Sequence, residues 1–118
     1  MARNVTHDSV MTALAELSAS PESHDLLVLA TRLSMEWFAQ QFPGQSVEIR
    51  VPPIKAIQVL GGTTHRRGTP PATVEMSAHT WLGLFQGTEL WGDACARGLV
   101  QASGERSDLA GLFAQIHD

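Results

Sequence analysis

The hydrophobic period of this chain changes at Pro43-Gly44, and the change limits the folds that the chain can adopt. Before it, residues 24–42 carry a broad apolar stripe with spacings of three and four, which indicates a largely buried helix. After it, SVEIRVPP (residues 46–53) alternates between apolar and polar side chains, which predicts a half-buried strand. A chain that moves from a helical to a strand period needs a helix packed on a sheet.

The rest of the chain divides into helix and strand signals in the same way. Further strands are predicted at IKAIQVL (54–60), ATVEM (72–76), LVQASG (99–104) and, as an additional short strand, TTHRR (63–67). Helices are predicted over 6–18, 24–42, 77–87, 88–98 and 107–116. Segment 54–60 is apolar on both faces, which favours a central position in the sheet. The class is therefore α+β, with an antiparallel or mixed sheet and helices packed on one face.

Polar residues in front of the helices are predicted to cap them, because a hydroxyl or carboxylate can accept hydrogen bonds from the first turn. The candidates are Thr6 or Asp8, Ser23, Ser77 and Thr88, one for each of the first four helices. Gly87 and Gly98 are expected to end the third and fourth helices.

Length and charge narrow the class of protein. The 118 residues, 43% of them hydrophobic, suffice for one domain, in which an N-terminal helix and loop (1–22) precede a core (23–118). A net charge of −4 argues against nucleic-acid binding, which needs a broad basic face. No apolar run approaches the roughly 20 residues that span a bilayer, and residues 1–10 lack a secretory signal. We therefore expect a cytoplasmic protein without stable membrane insertion.

Sequence motifs for catalysis are missing. There is no GxGxxG, no phosphate-binding loop ending in Gly-Lys and no GxSxG, and the five histidines do not show zinc-ligand spacing. The single cysteine, Cys95, excludes an internal disulfide, and its helical setting favours a small buried apolar residue over a reactive thiol. We expect no catalytic residue, no metal and no cofactor.

The large apolar side chains allow two interpretations. Three tryptophans, four phenylalanines and four methionines are many for a small domain that has no tyrosine. Most of them are expected to fill the core. Some could instead line a hydrophobic cavity, because aromatic and thioether walls suit bulky apolar ligands.

The densest positive cluster of the chain lies in HRRGTPPATVEM (65–76) and also has two interpretations. Arg66 and Arg67 could meet an anion, or they could solvate a turn that Gly68 and Pro70-Pro71 define before strand 72–76.

Taken together, several motifs resemble one family. The segments VEIRVPP, RGTPP before a strand, the helix that contains Trp81-Leu82, and the ending ARGLVQASGERSDLAGLF (96–113) are similar to the bacterial branch, common in actinobacteria, of the sterol carrier protein (type two-like) family. The likeness covers roughly residues 24–116. It implies a sheet of about five mostly antiparallel strands covered by helices, with an apolar tunnel between them. It also implies noncovalent binding of sterols, fatty acids or fatty acyl-CoA.

The leading hypothesis is therefore a small lipid-binding carrier with a hydrophobic small molecule as its partner. Its wall candidates are Leu33, Trp37, Val59, Met76, Trp81, Phe85, Trp91, Leu112 and Phe113, with Arg66 and Arg67 at a polar mouth. The alternative is a ligand-free module that forms a homodimer or docks on a separate enzyme. That alternative predicts a filled core and an exposed apolar patch.

Overall fold

The computed structural model describes residues 4–61, 71–104 and 107–117, which form the predicted alternation of helices and strands. The helices are α1 (His7–Ala19), α2 (His24–Gln41), α3 (Ala78–Gln86), α4 (Trp91–Ala96) and α5 (Ala110–His117). The strands are β1 (Val47–Val51), β2 (Lys55–Val59), β3 (Ala72–Met76) and β4 (Val100–Ser103). Each element lies where the hydrophobic pattern predicts it, and its ends differ by no more than about three residues.

Hydroxyl side chains cap the first three helices. The Oγ atoms of Thr6, Ser23 and Ser77 each accept a hydrogen bond from the N–H three residues further on, at 3.1–3.2 Å. The predicted cap at Thr88 is wrong, since α4 begins without a side-chain cap. The Thr88 hydroxyl instead donates to the Gly83 carbonyl at 3.4 Å, because the chain between α3 and α4 folds back on α3.

The sheet is mixed, which confirms the α+β class. Its strand order is β2-β1-β3-β4, in which β1 and β3 are parallel and the two outer pairings are antiparallel. In this register Ile49 lies between Ile57 of β2 and Val74 of β3. The described sheet has four strands where about five are predicted; the additional strand is predicted at 63–67, outside the described residues.

Strand β2 lies at one end of the described sheet, but the additional strand predicted at 63–67 lies outside the described residues, so the central position of β2 stays a prediction. The apolar residues of this segment do not occupy two buried faces. Ile57 and Val59 are buried, whereas Ala56 and Gln58 are exposed, and Ile54 belongs to the turn before the strand. Alanine is small enough to stand at an exposed position, which made the segment look apolar on both sides.

One face of the sheet forms the floor of the core. The buried positions alternate along the strands and are held by Val47, Ile49, Val51, Ile57, Val59, Ala72, Val74, Met76 and Val100. The intervening positions are exposed or half-buried and mostly polar, with Ala56 as an apolar exception, and Arg50 pairs there with Glu48 at 3.0 Å. This alternation fits a sheet with helices packed on its buried face.

Aromatic side chains from three helices meet above this floor. Phe38 of α2 lies at the centre, with ring centroids 4.9 Å from Phe42, 5.2 Å from Trp81 and 5.2 Å from Phe113. The indole Nε1–H of Trp81 donates to the Ser34 hydroxyl at 2.9 Å, so its polar atom is satisfied although the side chain is fully buried. The cluster joins α2, α3 and α5 into one packed layer.

The loop between α2 and β1 crosses the end of β2 at very short range. Gly44 has φ of +147°, and a Cβ atom at this position would overlap the backbone of Leu60. The Leu60 N–H donates to the Phe42 carbonyl at 2.9 Å, and Leu60 itself has a positive φ of 67°. Only glycine fits this crossing.

Candidate functional site

A pocket of about 570 Å³ opens between α1, α2 and the C-terminal ends of α3 and α5. Its walls are mostly apolar, with polar groups toward solvent, and are formed by His7, Met11, Leu14, Trp37, Phe85, Gln86, Gly87, Ile116 and His117. This volume lies within the roughly 300–1,000 Å³ typical of small-molecule sites.

Helix α1 supplies one wall through a single face. His7, Met11 and Leu14 are spaced by four and three residues, so they line one side of the helix. The neighbouring positions Val10 and Ala13 are buried against the core and attach the helix to it. Met11 is 48% exposed, which leaves an apolar thioether side chain at the pocket surface.

The chain in front of α1 is fastened to α2 by an amide pair. The Val5 N–H donates to Gln40 Oε1 at 2.7 Å, and Gln40 Nε2 donates to the Val5 carbonyl at 2.8 Å. Val5 is also buried. These contacts fix the start of α1, and with it the position of His7 and Met11, relative to Trp37 of α2.

The second wall is aromatic. The rings of Trp37 and Phe85 meet edge to face, with centroids 5.8 Å apart and an interplanar angle of 81°. The centroid of the His7 ring lies 5.3 Å from that of Trp37. Phe85 is buried, whereas Trp37 is half-buried and can contact a molecule in the pocket.

His117 also lines the pocket, and its ring lies against the C-terminal end of α3. Its Nε2 lies 2.9 Å from the Phe85 carbonyl, and because a carbonyl can only accept, this nitrogen carries the hydrogen. Gly87 ends α3 with a left-handed φ of +85°. A Cβ atom on Gly87 would stand 3.3 Å from His117 Cε1, so the glycine leaves room for the ring.

The structure distributes the nine predicted wall residues over several places. Trp37 and Phe85 line the pocket. Val59, Met76, Trp81, Leu112 and Phe113 are buried in the core, and Leu33 and Trp91 pack against it half-buried. Met76 also reaches a smaller, polar pocket beside β3 and β4. Arg66 and Arg67, predicted at a polar mouth, lie outside the described residues.

Several pocket residues were not predicted from the sequence. His7, Met11 and Leu14 carry a signal, since their helical spacing places them on one face of α1. Ile116 and His117 carry none, because their approach to α1 depends on how the two ends of the chain pack. Gly87 ends α3, as predicted. Its contact with the His117 ring was not predicted.

Cys95 is half-buried rather than fully buried. Burial raises the pKa of its thiol above the ordinary value, and the Asp108 carboxylate raises this pKa further by disfavouring a second negative charge. The thiolate is therefore scarce at neutral pH. Within residues 4–61, 71–104 and 107–117, no three His, Cys, Asp or Glu side chains lie together as a metal site would require.

The helices of the described chain are all too short or too polar to cross a membrane. A small α+β domain with an apolar pocket between its helices is one architecture that a small carrier-type domain can have. Residues 23–114 of the 118 match the model of a family described as "Bacterial SCP ortholog", in which SCP stands for sterol carrier protein. The chain therefore belongs to the bacterial sterol carrier protein family, which confirms the resemblance in its motifs. A search of curated proteins finds no match.

The match and the pocket do not cover the same residues. Trp37, Phe85 and Gly87 lie within the matched range, whereas the whole of α1 and the end of α5 lie outside it. The pocket is thus built where segments that flank the matched residues pack against them.

Proposed function

We propose that this protein is a carrier that holds a hydrophobic small molecule, such as a fatty acid, an acyl-CoA or a sterol-like lipid, in the pocket between α1, α2, α3 and α5. The observation that carries the proposal is this apolar pocket in a member of the sterol carrier protein family. A cytoplasmic location and a lipid as partner are parts of the same proposal.

The exposed walls explain why an apolar ligand would bind. Met11 and Trp37 present apolar surface to water, and covering such surface contributes roughly 25 cal/mol per Å². The flexible thioether side chain of Met11 adapts to ligands of different shape without a large packing cost. A ligand that binds only the folded state would also raise the stability of the protein.

The other predicted wall residues have a supporting role in this proposal. Trp81 and Phe113 lie behind Phe85 in the aromatic cluster, with the Trp81 and Phe85 centroids 5.9 Å apart. They would keep the pocket wall rigid without contacting the ligand. The polar mouth at Arg66 and Arg67 stays a prediction, and replacement of both by Ala, followed by acyl-binding and unfolding measurements, tests it.

Blocking the pocket tests the main proposal. We expect Met11→Trp to lower the affinity for a fluorescent fatty acid at least about tenfold, because the larger side chain occupies the space between α1 and Trp37. Leu29→Trp is the matched control, since Leu29 is 38% exposed on α2 and does not line this pocket. Displacement titrations give the affinities, and native mass spectrometry of the gently purified protein reports a bound lipid.

Two results would contradict the proposal. One is a homogeneous native mass without a lipid adduct, together with no binding of the fluorescent fatty acid by the unmodified protein. The other is an equal loss of affinity in Met11→Trp and Leu29→Trp, which would place the binding outside the pocket.

A second candidate, a ligand-free module that dimerises or docks on an enzyme, is favoured by a different observation. Leu90 is 65% exposed and Leu99 is 36% exposed on either side of α4, and most of the predicted wall residues fill the core instead of lining the pocket. Light scattering coupled to size-exclusion chromatography separates the candidates. A dimer that Leu90→Lys disrupts, in a protein that binds no lipid, would support the second one.

A further inference from the structure

The polar side of the pocket has a specific chemistry that the apolar walls do not explain. We propose that His7 and His117 form a head-group subsite that favours amphiphiles with an acidic head group, with His117 as the main contact. This inference rests on the proposed function, because it concerns the head group of a ligand whose chain occupies the same pocket.

The hydrogen bond between His117 Nε2 and Phe85 leaves the other ring nitrogen, Nδ1, available to contact a head group. Nε2–H donates to the Phe85 carbonyl at 2.9 Å, so the neutral ring has an unprotonated Nδ1. Protonation places a second N–H on Nδ1 without breaking the bond to Phe85. The cationic ring can then donate a hydrogen bond from Nδ1 to a carboxylate. The bond from Nε2 to Phe85 keeps the ring in position, and Gly87 leaves room for it.

His7 adds a second imidazole to the lining of the same pocket. Its ring lies 5.3 Å from the Trp37 ring at an interplanar angle of 55°, so the indole packs against one side of the imidazole. It is one helical turn from Met11, so an acidic group near His7 leaves the chain of the ligand on the apolar wall.

The other described residues that line the pocket carry no negative charge that would oppose an anion. Among the described residues that line it, none is Asp, Glu, Lys or Arg: α2 contributes Trp37, and α3 contributes Phe85 and Gln86. Asp8, which follows His7, is exposed and does not line the pocket. Asp118 follows His117 and lies outside the described residues, so its influence is measured separately with Asp118→Asn.

The test compares two ligands that differ in the head group alone. Decanoate is ionised at pH 6.0 and at pH 8.0, since a carboxylic acid titrates near pH 4.3 or a little above, and decanol carries no charge. Imidazoles ordinarily gain their proton at about pH 6.5. We expect decanoate to bind about threefold to tenfold more tightly at pH 6.0 than at pH 8.0, and decanol to bind equally at both.

Variants assign the effect to the histidines. We expect His117→Gln to abolish most of the pH dependence, His7→Gln to reduce it, and each to keep its affinity for decanol, which shows that the pocket is intact. His79→Gln is the matched control, because His79 is exposed at the start of α3 and does not line the pocket. Asp118→Asn is expected to keep or increase the preference for decanoate at pH 6.0.

The outcomes separate this inference from the proposed function. Binding of decanol and decanoate with the same affinity at both pH values would overturn the head-group subsite and leave the carrier function standing. Loss of pH dependence in His79→Gln, or its retention in the His7→Gln, His117→Gln double variant, would also overturn it. If neither ligand binds, the proposed function fails, and the head-group subsite fails with it.

Discussion

The close approach of the His117 ring to Gly87 allows a quantitative prediction about stability, because Gly98 serves as a control for Gly87. Gly87 and Gly98 both follow short helices and both have a positive φ, +85° and +74°. They differ in their surroundings. A Cβ atom on Gly87 would lie 3.3 Å from the His117 ring, whereas a Cβ atom on Gly98 would have no described atom within 4 Å.

Gly87→Ala and Gly98→Ala should therefore lower the free energy of unfolding by different amounts. Each places a side chain on a left-handed backbone, which costs about 1–2 kcal/mol. Only Gly87→Ala also crowds the His117 ring, which must move by a few tenths of an ångström, and weakening of its 2.9 Å hydrogen bond to the Phe85 carbonyl adds at most about 1 kcal/mol at this partly exposed position. We expect Gly87→Ala to be more destabilising than Gly98→Ala by up to this amount.

Urea unfolding of the two variants, with and without His117→Ala, measures the difference. In the His117→Ala background the ring is gone, so Gly87→Ala should cost as much as Gly98→Ala. If Gly87→Ala and Gly98→Ala lower the free energy of unfolding equally in the protein that keeps His117, the reasoning is refuted. The position of the His117 ring would then not depend on the absence of a side chain at Gly87. We also expect Gly87→Ala to weaken the pH dependence of decanoate binding.

Two further predictions follow from the backbone and from the cysteine. Gly44→Ala should prevent stable folding or cost more than about 4 kcal/mol, because the new Cβ atom would overlap the Leu60 backbone; a loss in urea unfolding comparable to that of Gly98→Ala would contradict this. Asp108→Asn should lower the raised pKa of the Cys95 thiol and speed its alkylation by iodoacetamide at pH 8, because it removes a negative charge that disfavours the thiolate. An unchanged pH–rate profile would show that Asp108 does not act on the thiol.

Local physics in the sequence accounts for most of the fold. The alternation of Val47, Ile49 and Val51 requires a strand with one buried face, and the wide stripe of residues 24–42 requires a buried helix. Ser23 and Ser77 mark helix starts because a hydroxyl can accept a hydrogen bond from a free N–H of the first turn, although Thr88 bonds elsewhere. The family motifs lie in these same segments, so the family was predictable too.

The arrangement of the strands was less predictable. Strand β1 pairs antiparallel with β2 on one side and parallel with β3 on the other, so β2 lies at an end of the described sheet. Nothing local distinguishes a central from an outer strand in IKAIQVL, because Ala56 can be buried or exposed at little cost. Strand order depends on contacts between residues far apart in the chain.

The sequence by itself therefore determined the elements, the α+β class and the family, because these depend on periodicity and on neighbours along the chain. Only the tertiary structure decided which apolar side chains face a pocket and which fill the core. Trp37 and Trp81 both lie on helices with an apolar stripe, yet Trp81 is fully buried and Trp37 lines the pocket. The reason is that α1 and the end of α5 meet beside Trp37, and His7 and His117 come together there from opposite ends of the chain.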